Sequence, residues 1–503
     1  MSDSHPGSEL SIEQLVHALI RAVDPGSPSA RRLLESGLQK ILDVERSLHE
    51  VTRATRTIGN MLTPVNRFPP EILSRVLERR TREWDLITAT HVCRYWRYTL
   101  TSNPSLWTCF QFQPSHDLNR TLTYLERSQS MPIDVNQDMR SPQALEMLKC
   151  FAPHIARVRS FVIRGPVNKD TILHLLRKPT PSLRHLAICF RGNSLARLPD
   201  DFLGRQAPSL RSVYFDGICP TFESPFPLPS LTQFNLHLPS SAGPFRMSAL
   251  FRFFASCPWL QKVSIYASNE MSQDVTLDQV ILLESLTELD YTSEPASRIL
   301  PYLRLPRLNR LRVRLSSEPT QKLADMLPCD GQVLLAGVTK MSYRHDRYSQ
   351  RIKLSGDGVD VSLTVFSLMG PIPVDWLSDG TYIPFGKIED LTVEGSSNIA
   401  ADFLISVFEN LRVLRVTPRD TQFAQKIFRL LHPGTGIPCP FLREIHYTYS
   451  EPLDPLINLV QARLQAGYRL EPVLLAIPPE YDWDDEAELR RLVAEVFVQE
   501  KGI

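Results

Sequence analysis

The chain has 503 residues, 43% hydrophobic and 22% charged, ordinary for a globular protein but long for a single domain of usual size. Lys and Arg number 56 against 55 Asp and Glu, a formal net charge of +1. No global field therefore draws the chain to nucleic acid or to an anionic membrane surface. The 40 prolines against 21 glycines point to many short elements divided by stiff turns, and away from Gly-rich phosphate loops.

The eight cysteines, at 93, 109, 150, 189, 219, 257, 329 and 439, contain no CxxC pair and read as reduced, small hydrophobes. The start, MSDSHPGSELSIEQ, has no apolar core of signal-peptide type, and no apolar run is long enough to span a bilayer. The expectation is an intracellular protein, cytoplasmic or nuclear.

Residues 1–29 read as a disordered start and a short helix, Ile12–Val23, stopped by Asp24-Pro25-Gly26. Residues 30–62 follow without a proline until Pro64. Leu34, Ile41, Leu48 and Thr55 recur at seven, as do Gly37, Val44, Val51 and Ile58. Six of these eight positions are apolar, which predicts a helix with a heptad seam. Two arrangements satisfy such a seam: a coiled-coil dimer, or packing along the helix's own domain. The weak positions Gly37 and Thr55 favour the second.

Residues 63–112 form a compact helical block. Pro70 suits a first helical turn, and Ile72, Leu73, Val76 and Leu77 mark an apolar face over Pro70–Arg80. Asp85 is a candidate N-cap for a second helix. From there Leu86, Ala89, Cys93, Trp96 and Leu100 make a stripe through four turns, until Asn103-Pro104 stops it and Leu106-Trp107 folds back as a lid. So short a block encloses little core. Leftover apolar faces suit docking, although Leu86, Cys93, Trp96 and Trp107 also serve as the block's own core. Arg75, Arg79, Arg80 and Arg82 read as a solvated face, or as one that meets an acidic surface.

From about 113 to 480 one pattern repeats: "PSLRHLAIC", "PSLRSVYFD", "PSLTQFNLH", "PWLQKVSIY", "ESLTELDYT", "PRLNRLRVR", "GKIEDLTVE", "ENLRVLRVT" and "PFLREIHYT". The anchors Val158, Leu183, Leu210, Leu231, Leu260, Leu286 and Leu308 are separated by 25, 27, 21, 29, 26 and 22 residues, a leucine-rich-repeat period. In such a repeat L-x-x-L-x-L is a short strand whose Leu positions face the core, and neighbours stack because none buries its own apolar face. Return helices are expected at Thr171–Arg177, Met247–Ser256 and Phe403–Phe408. The Asn or Cys that would follow each strand is missing (Arg191 and Ile218 stand there), so the solenoid should be irregular. Residues 320–385 fit poorly. Within them "RIKLSGDGVDVSLTVF" alternates around Gly356-Asp357-Gly358 and predicts a hairpin at about 350–366. Residues 481–503 predict an acidic-started capping helix.

The outward strand positions are His185 and Ala187, Ser212 and Tyr214, Gln233 and Asn235, Lys262 and Ser264, Arg310 and Arg312. This mixture suits recognition of a protein, with Tyr214 and Arg312 as the candidate substrate-binding residues. No phosphate loop, nucleophile elbow or zinc-protease motif occurs, so no catalysis and no cofactor are expected. Asp482-x-Asp484-x-Glu486 fails as a calcium loop, with Ala487 and Val493 where Gly and Glu belong. His345-Asp346 reads as a solvated loop.

Four blocks in residues 63–112 resemble an F-box of the fungal F-box-like type: Phe68-Pro69-Pro70-Glu71-Ile72-Leu73, Asp85-Leu86, Val92-Cys93-Arg94-Tyr95-Trp96-Arg97 and Leu106-Trp107. Phe68 stands where that family usually has Leu. With the repeats, the resemblance implies an α/β chain of N-terminal helices, a three-helix F-box and an irregular leucine-rich-repeat solenoid. It implies the substrate receptor of a cullin–RING ubiquitin ligase, the F-box docking a Skp-family adaptor and the repeats holding a protein substrate. The adaptor contacts would be Pro69, Pro70, Ile72, Leu73, Val76, Leu77, Val92 and Trp96. The alternative is a non-ligase scaffold in which these helices are only a packing module.

Overall fold

The computed structural model describes residues 14, 17–18, 21, 28–80, 83–112, 118–140, 143–165, 172, 174–190, 196–198, 201–219, 228–238, 245–267, 271–272, 280–293, 299–316, 323–346, 348–366, 383–395, 407–434, 436–448, 453–477, 484–493 and 495–500. The chain divides into two compact units, one of residues 1–108 with 123–131, the other of residues 109–122 with 132–503. The whole is a mixed helix and strand protein, with helices at the N-terminus and one large, mostly parallel sheet. Among the described residues no helix is long and apolar enough to cross a membrane.

The first unit is helical. α1 (Pro28–Leu62) is followed by a 3-10 turn over Pro64–Arg67, then α2 (Pro70–Arg80), α3 (Glu83–Thr90) and α4 (Arg94–Thr101). The heptad side chains of α1 from Leu34 to Ile58 are exposed, apart from Gly37, which is buried. The alternative in which this seam packs along its own domain is therefore not what the described residues show.

The second helix expected from the sequence in residues 63–112 is two helices, with α3 starting at Glu83, ahead of Asp85. They part at His91–Cys93, where Cys93 is extended at φ −156° and ψ 174°. Arg97 closes the gap by donating its Nε–H to the Thr90 carbonyl, 3.0 Å away. That carbonyl would otherwise be an orphan of the α3 C-terminus. A second 3-10 turn, Pro104–Trp107, is capped by Asn103, whose Oδ1 accepts from the Ser105 N–H. It carries Trp107 into the core, fully buried, with the indole N–H donating to the Leu100 carbonyl at 2.8 Å.

The second unit is built on a sheet that has 17 strands among the described residues. They are β1 (Cys109–Phe112), β2 (Ile133–Asp138), β3 (Val158–Arg164), β4 (His185–Cys189), β5 (Ser212–Asp216), β6 (Gln233–Leu238), β7 (Lys262–Ala267), β8 (Glu288–Ser293) and β9 (Arg310–Ser316). After these come β10 (Lys340–Asp346), β11 (Ser349–Gly356), β12 (Val359–Phe366), β13 (Asp390–Gly395), β14 (Val413–Pro418), β15 (Glu444–Thr448), β16 (Val473–Ile477) and β17 (Val496–Glu500).

β1 through β9 lie side by side in chain order, each parallel to the next. The repeated segments are in phase: Val213 pairs Phe234, Phe234 pairs Val263, Val263 pairs Leu289 and Leu289 pairs Leu311. All of these are buried, as are the anchors Leu210, Leu231, Leu260, Leu286 and Leu308. One face of every strand thus stacks on the same face of its neighbour, which is what a period of about one strand and one return per 20–30 residues requires.

The order changes once. β9 pairs in parallel with β12, β12 and β10 flank β11 in antiparallel fashion, and β10 pairs in parallel with β13. The region that fits the repeat poorly is a three-strand meander running backwards inside the sheet. Its tight turn is Asp357-Gly358, both at positive φ, 34° and 80°. His345 lies in β10 and is buried, not in a solvated loop. Burial holds its imidazole below the usual histidine range.

Helices return at Met247–Ala255, Thr421–Leu430 and Asp454–Gln465. Residues 172, 174 and 175 are helical, whereas the helix expected at Phe403–Phe408 falls mostly outside the described residues. The fully buried Arg463 ties the last of these helices to the loop before β15, donating to the carbonyls of Leu431, Pro438 and Cys439. The C-terminal segment is not one helix: a helix over Asp484–Leu492 gives way to β17, parallel to β16. Val496 and Val498 are β-branched at alternate positions, a strand pattern that outweighs the helical spacing.

Candidate adaptor-docking face

The chain enters α2 through a braced strap. Pro70 sits at the first helical position, and the N–H groups of Ile72 and Leu73 both donate to the Pro69 carbonyl. The strap is tied to α4. Tyr95 donates its hydroxyl to the Phe68 carbonyl at 2.6 Å, and Trp96 its indole N–H to Asn66 Oδ1 at 2.5 Å. Asn66 in turn donates to the Asn60 carbonyl at 2.6 Å, near the end of α1. A chain of three polar contacts therefore fixes α1, the strap and α4 relative to one another. Leu86, Ala89 and Leu100 are buried, and Cys93 is half-buried.

The structure divides the residues singled out from the sequence into two groups. Leu73 is 1% exposed and belongs to the interior, with Leu77 and Trp96 half-buried beside the bundle surface. Pro69 and Pro70 are exposed. Ile72 and Val76 are 43% and 49% exposed and lie one turn apart on the outer side of α2, and Val92 is 54% exposed in the turn before α4. Two more apolar side chains are open: Val65 in the 3-10 turn and Phe68 in the strap. Large apolar side chains left open within one short helical block are what a partner surface looks like.

On the sheet, Tyr214 and Arg312 occupy one row across the strands. That row runs Ala187, Tyr214, Asn235, Ser264, Asp290, Arg312 and Ser362 in successive register. Tyr214 is 37% exposed. Arg312 is paired with Asp290 at 3.4 Å. Two residues away, Lys262 pairs with Glu288 at 2.8 Å, and the Lys262 ammonium holds the Glu288 carboxyl below the usual range. Arg310 lies between Glu288 and Asp360. The outward side is therefore a ladder of cross-strand charge pairs, each contributing at most about 1 kcal/mol at such exposure. Glu288 and Asp290 hold the same repeat positions as Arg310 and Arg312, so aligning the repeats could have found these pairs.

Residues 65–113 match the F-box-like domain family. The match takes in the strap, α2, α3, α4 and the buried Trp107. A comparison of the chain with curated proteins finds no match.

Proposed function

We propose that the chain is a substrate receptor of a Skp–cullin–F-box ubiquitin ligase, and that its sheet is an irregular leucine-rich-repeat solenoid which binds a protein substrate. The observation that carries the first half is the outer side of the F-box-like domain, where Ile72, Val76 and Val92 are open to solvent while Leu73, Leu86, Leu100 and Trp107 make the interior. F-box domains generally dock on Skp-type adaptors, and an apolar outer side on so small a domain supports that use. Through the adaptor the chain would join a cullin–RING ligase and act without catalytic groups of its own, in the cytoplasm or the nucleus.

The test is co-expression of the full chain with a Skp-type adaptor. The expected result is a complex that stays together through affinity and size-exclusion steps. A chain that elutes folded and alone would leave the second reading, an interaction scaffold in which the F-box-like helices only pack.

The proposed substrate side is the outward row of the sheet. Tyr214→Ala is expected to weaken capture of a native partner while leaving adaptor binding and thermal stability unchanged. Arg312→Ala should do the same to a smaller extent, because Asp290 already takes part of its charge. Quantitative proteomics of captured partners reads this out. Identical partners for wild type and both variants would remove this row from the account.

A further inference from the structure

Several arginines of the sheet come with acids. Arg310 lies beside Glu288, Arg312 beside Asp290, Arg415 beside Asp390, and Arg419 beside Asp346 and Glu394. The helical unit holds a cluster that does not. Residues 51–70 and 86–108 hold five arginines and no Asp or Glu, in a chain whose charges otherwise balance. Four of the five, Arg53, Arg56, Arg94 and Arg97, line a single groove of about 430 Å³ between the last turns of α1 and the start of α4. No carboxylate lines it. Arg53, Arg56 and Arg94 are exposed, and none of them forms an ion pair among the described residues. Arg97 offers its Nε–H to the Thr90 carbonyl.

Four like charges around one groove repel one another, and a local anion relieves that repulsion. The remaining wall includes Met61, Cys93 and Tyr95, which gives an apolar side to an otherwise cationic site. Such a lining fits a stretch of polypeptide with both carboxylates and apolar side chains better than a bare inorganic anion. The groove is also rigid where it matters: the Asn60–Asn66–Trp96 contacts fix α1 to α4 across it. It adjoins Val92 and Trp96 in the chain, so whatever docks on the F-box-like face arrives next to it.

We propose that this groove takes a carboxylate-rich segment of the docked adaptor, so that α1 outside the F-box-like match contributes charge complementarity to docking. The proposal rests on the adaptor reading above. It assigns α1's C-terminal turns a role in steering association: exposed charges of this kind act mainly on the on-rate and lose their effect in salt.

The test uses the full chain and a purified Skp-type adaptor, with affinity and association rate measured at low salt and at about 0.5 M NaCl, where the screening length falls to a few ångströms. Arg53→Gln/Arg56→Gln is expected to weaken binding about tenfold at low salt, chiefly through slower association, and to have little effect at high salt. Both side chains are exposed, so thermal unfolding should match wild type. A double variant with wild-type affinity and wild-type salt dependence, while Val76→Asp still abolishes binding, would overturn the inference and leave the adaptor reading intact. Failure of wild type to bind at either salt concentration would overturn both. Competition by a single-stranded oligonucleotide, with none by a Glu-rich peptide, would also overturn it and assign the arginines to nucleic acid.

Discussion

Trp107→Ala is expected to destabilise the helical unit by about 3–5 kcal/mol, the usual range for emptying an aromatic core site. Three losses combine. The fully buried ring leaves a cavity, and the Leu100 carbonyl loses the indole N–H that reaches it at 2.8 Å. The edge-on contact with Tyr124, centroids 4.8 Å apart, and the Arg127 guanidinium 4.4 Å above the ring disappear as well. So small a domain has little stability in reserve, and α2–α4 should be largely unfolded in the variant. Hydrogen exchange over residues 70–108 reads this directly. Unchanged protection there would mean that Trp107 is not the centre of the unit. Trp107→Phe, which keeps the ring but not the N–H, should fall between.

Leu210→Ala and Leu286→Ala are each expected to destabilise the sheet unit by about 2–5 kcal/mol, whereas Arg211→Ala, exposed and one residue along, should cost under about 0.5 kcal/mol. Both leucines are fully buried at the head of a repeat, before β5 and β8. Each strand that follows such a leucine is paired on both sides, so the cavity also loosens the strands next to it. Denaturant unfolding of the three variants checks the expectation. Equal midpoints for Leu210→Ala and Arg211→Ala would refute the inward register.

Much of this was legible in the sequence, for identifiable reasons. Period-2 alternation behind an anchor Leu names the inward side of each strand without any knowledge of the neighbour, so the buried set around Val213, Phe234, Val263 and Leu289 follows from residue types alone. The spacing of Pro70, Leu86, Trp96 and Trp107 marks the helical block in the same way. The break between α3 and α4 was hidden because the turn His91–Cys93 keeps the apolar stripe in phase. A helical wheel shows a continuous stripe whether or not the backbone is continuous.

Other features depend on relations that spacing does not encode. The apolar arc of α2 is wide enough to serve an interior and an exterior at once. Only packing reveals that Leu73 turns in while Ile72 and Val76 stay out. The backward order of β10–β12 is likewise invisible, since an alternating strand reads the same in either direction of neighbour. The Arg53–Arg56–Arg94–Arg97 groove depends on two segments far apart in the chain.

Calorimetric titration of the full chain with a purified Skp-type adaptor, repeated at several temperatures, tests the docking face most directly. Burial of Ile72, Val76 and Val92 predicts saturable 1:1 binding with a negative heat-capacity change, because apolar surface leaves water. Val76→Asp should abolish it, since a desolvated, unpaired carboxylate would sit in the interface, and the variant should keep the wild-type melting temperature because Val76 is open in the free chain. Saturable binding that survives Val76→Asp, or no binding by the wild type, would contradict the docking account.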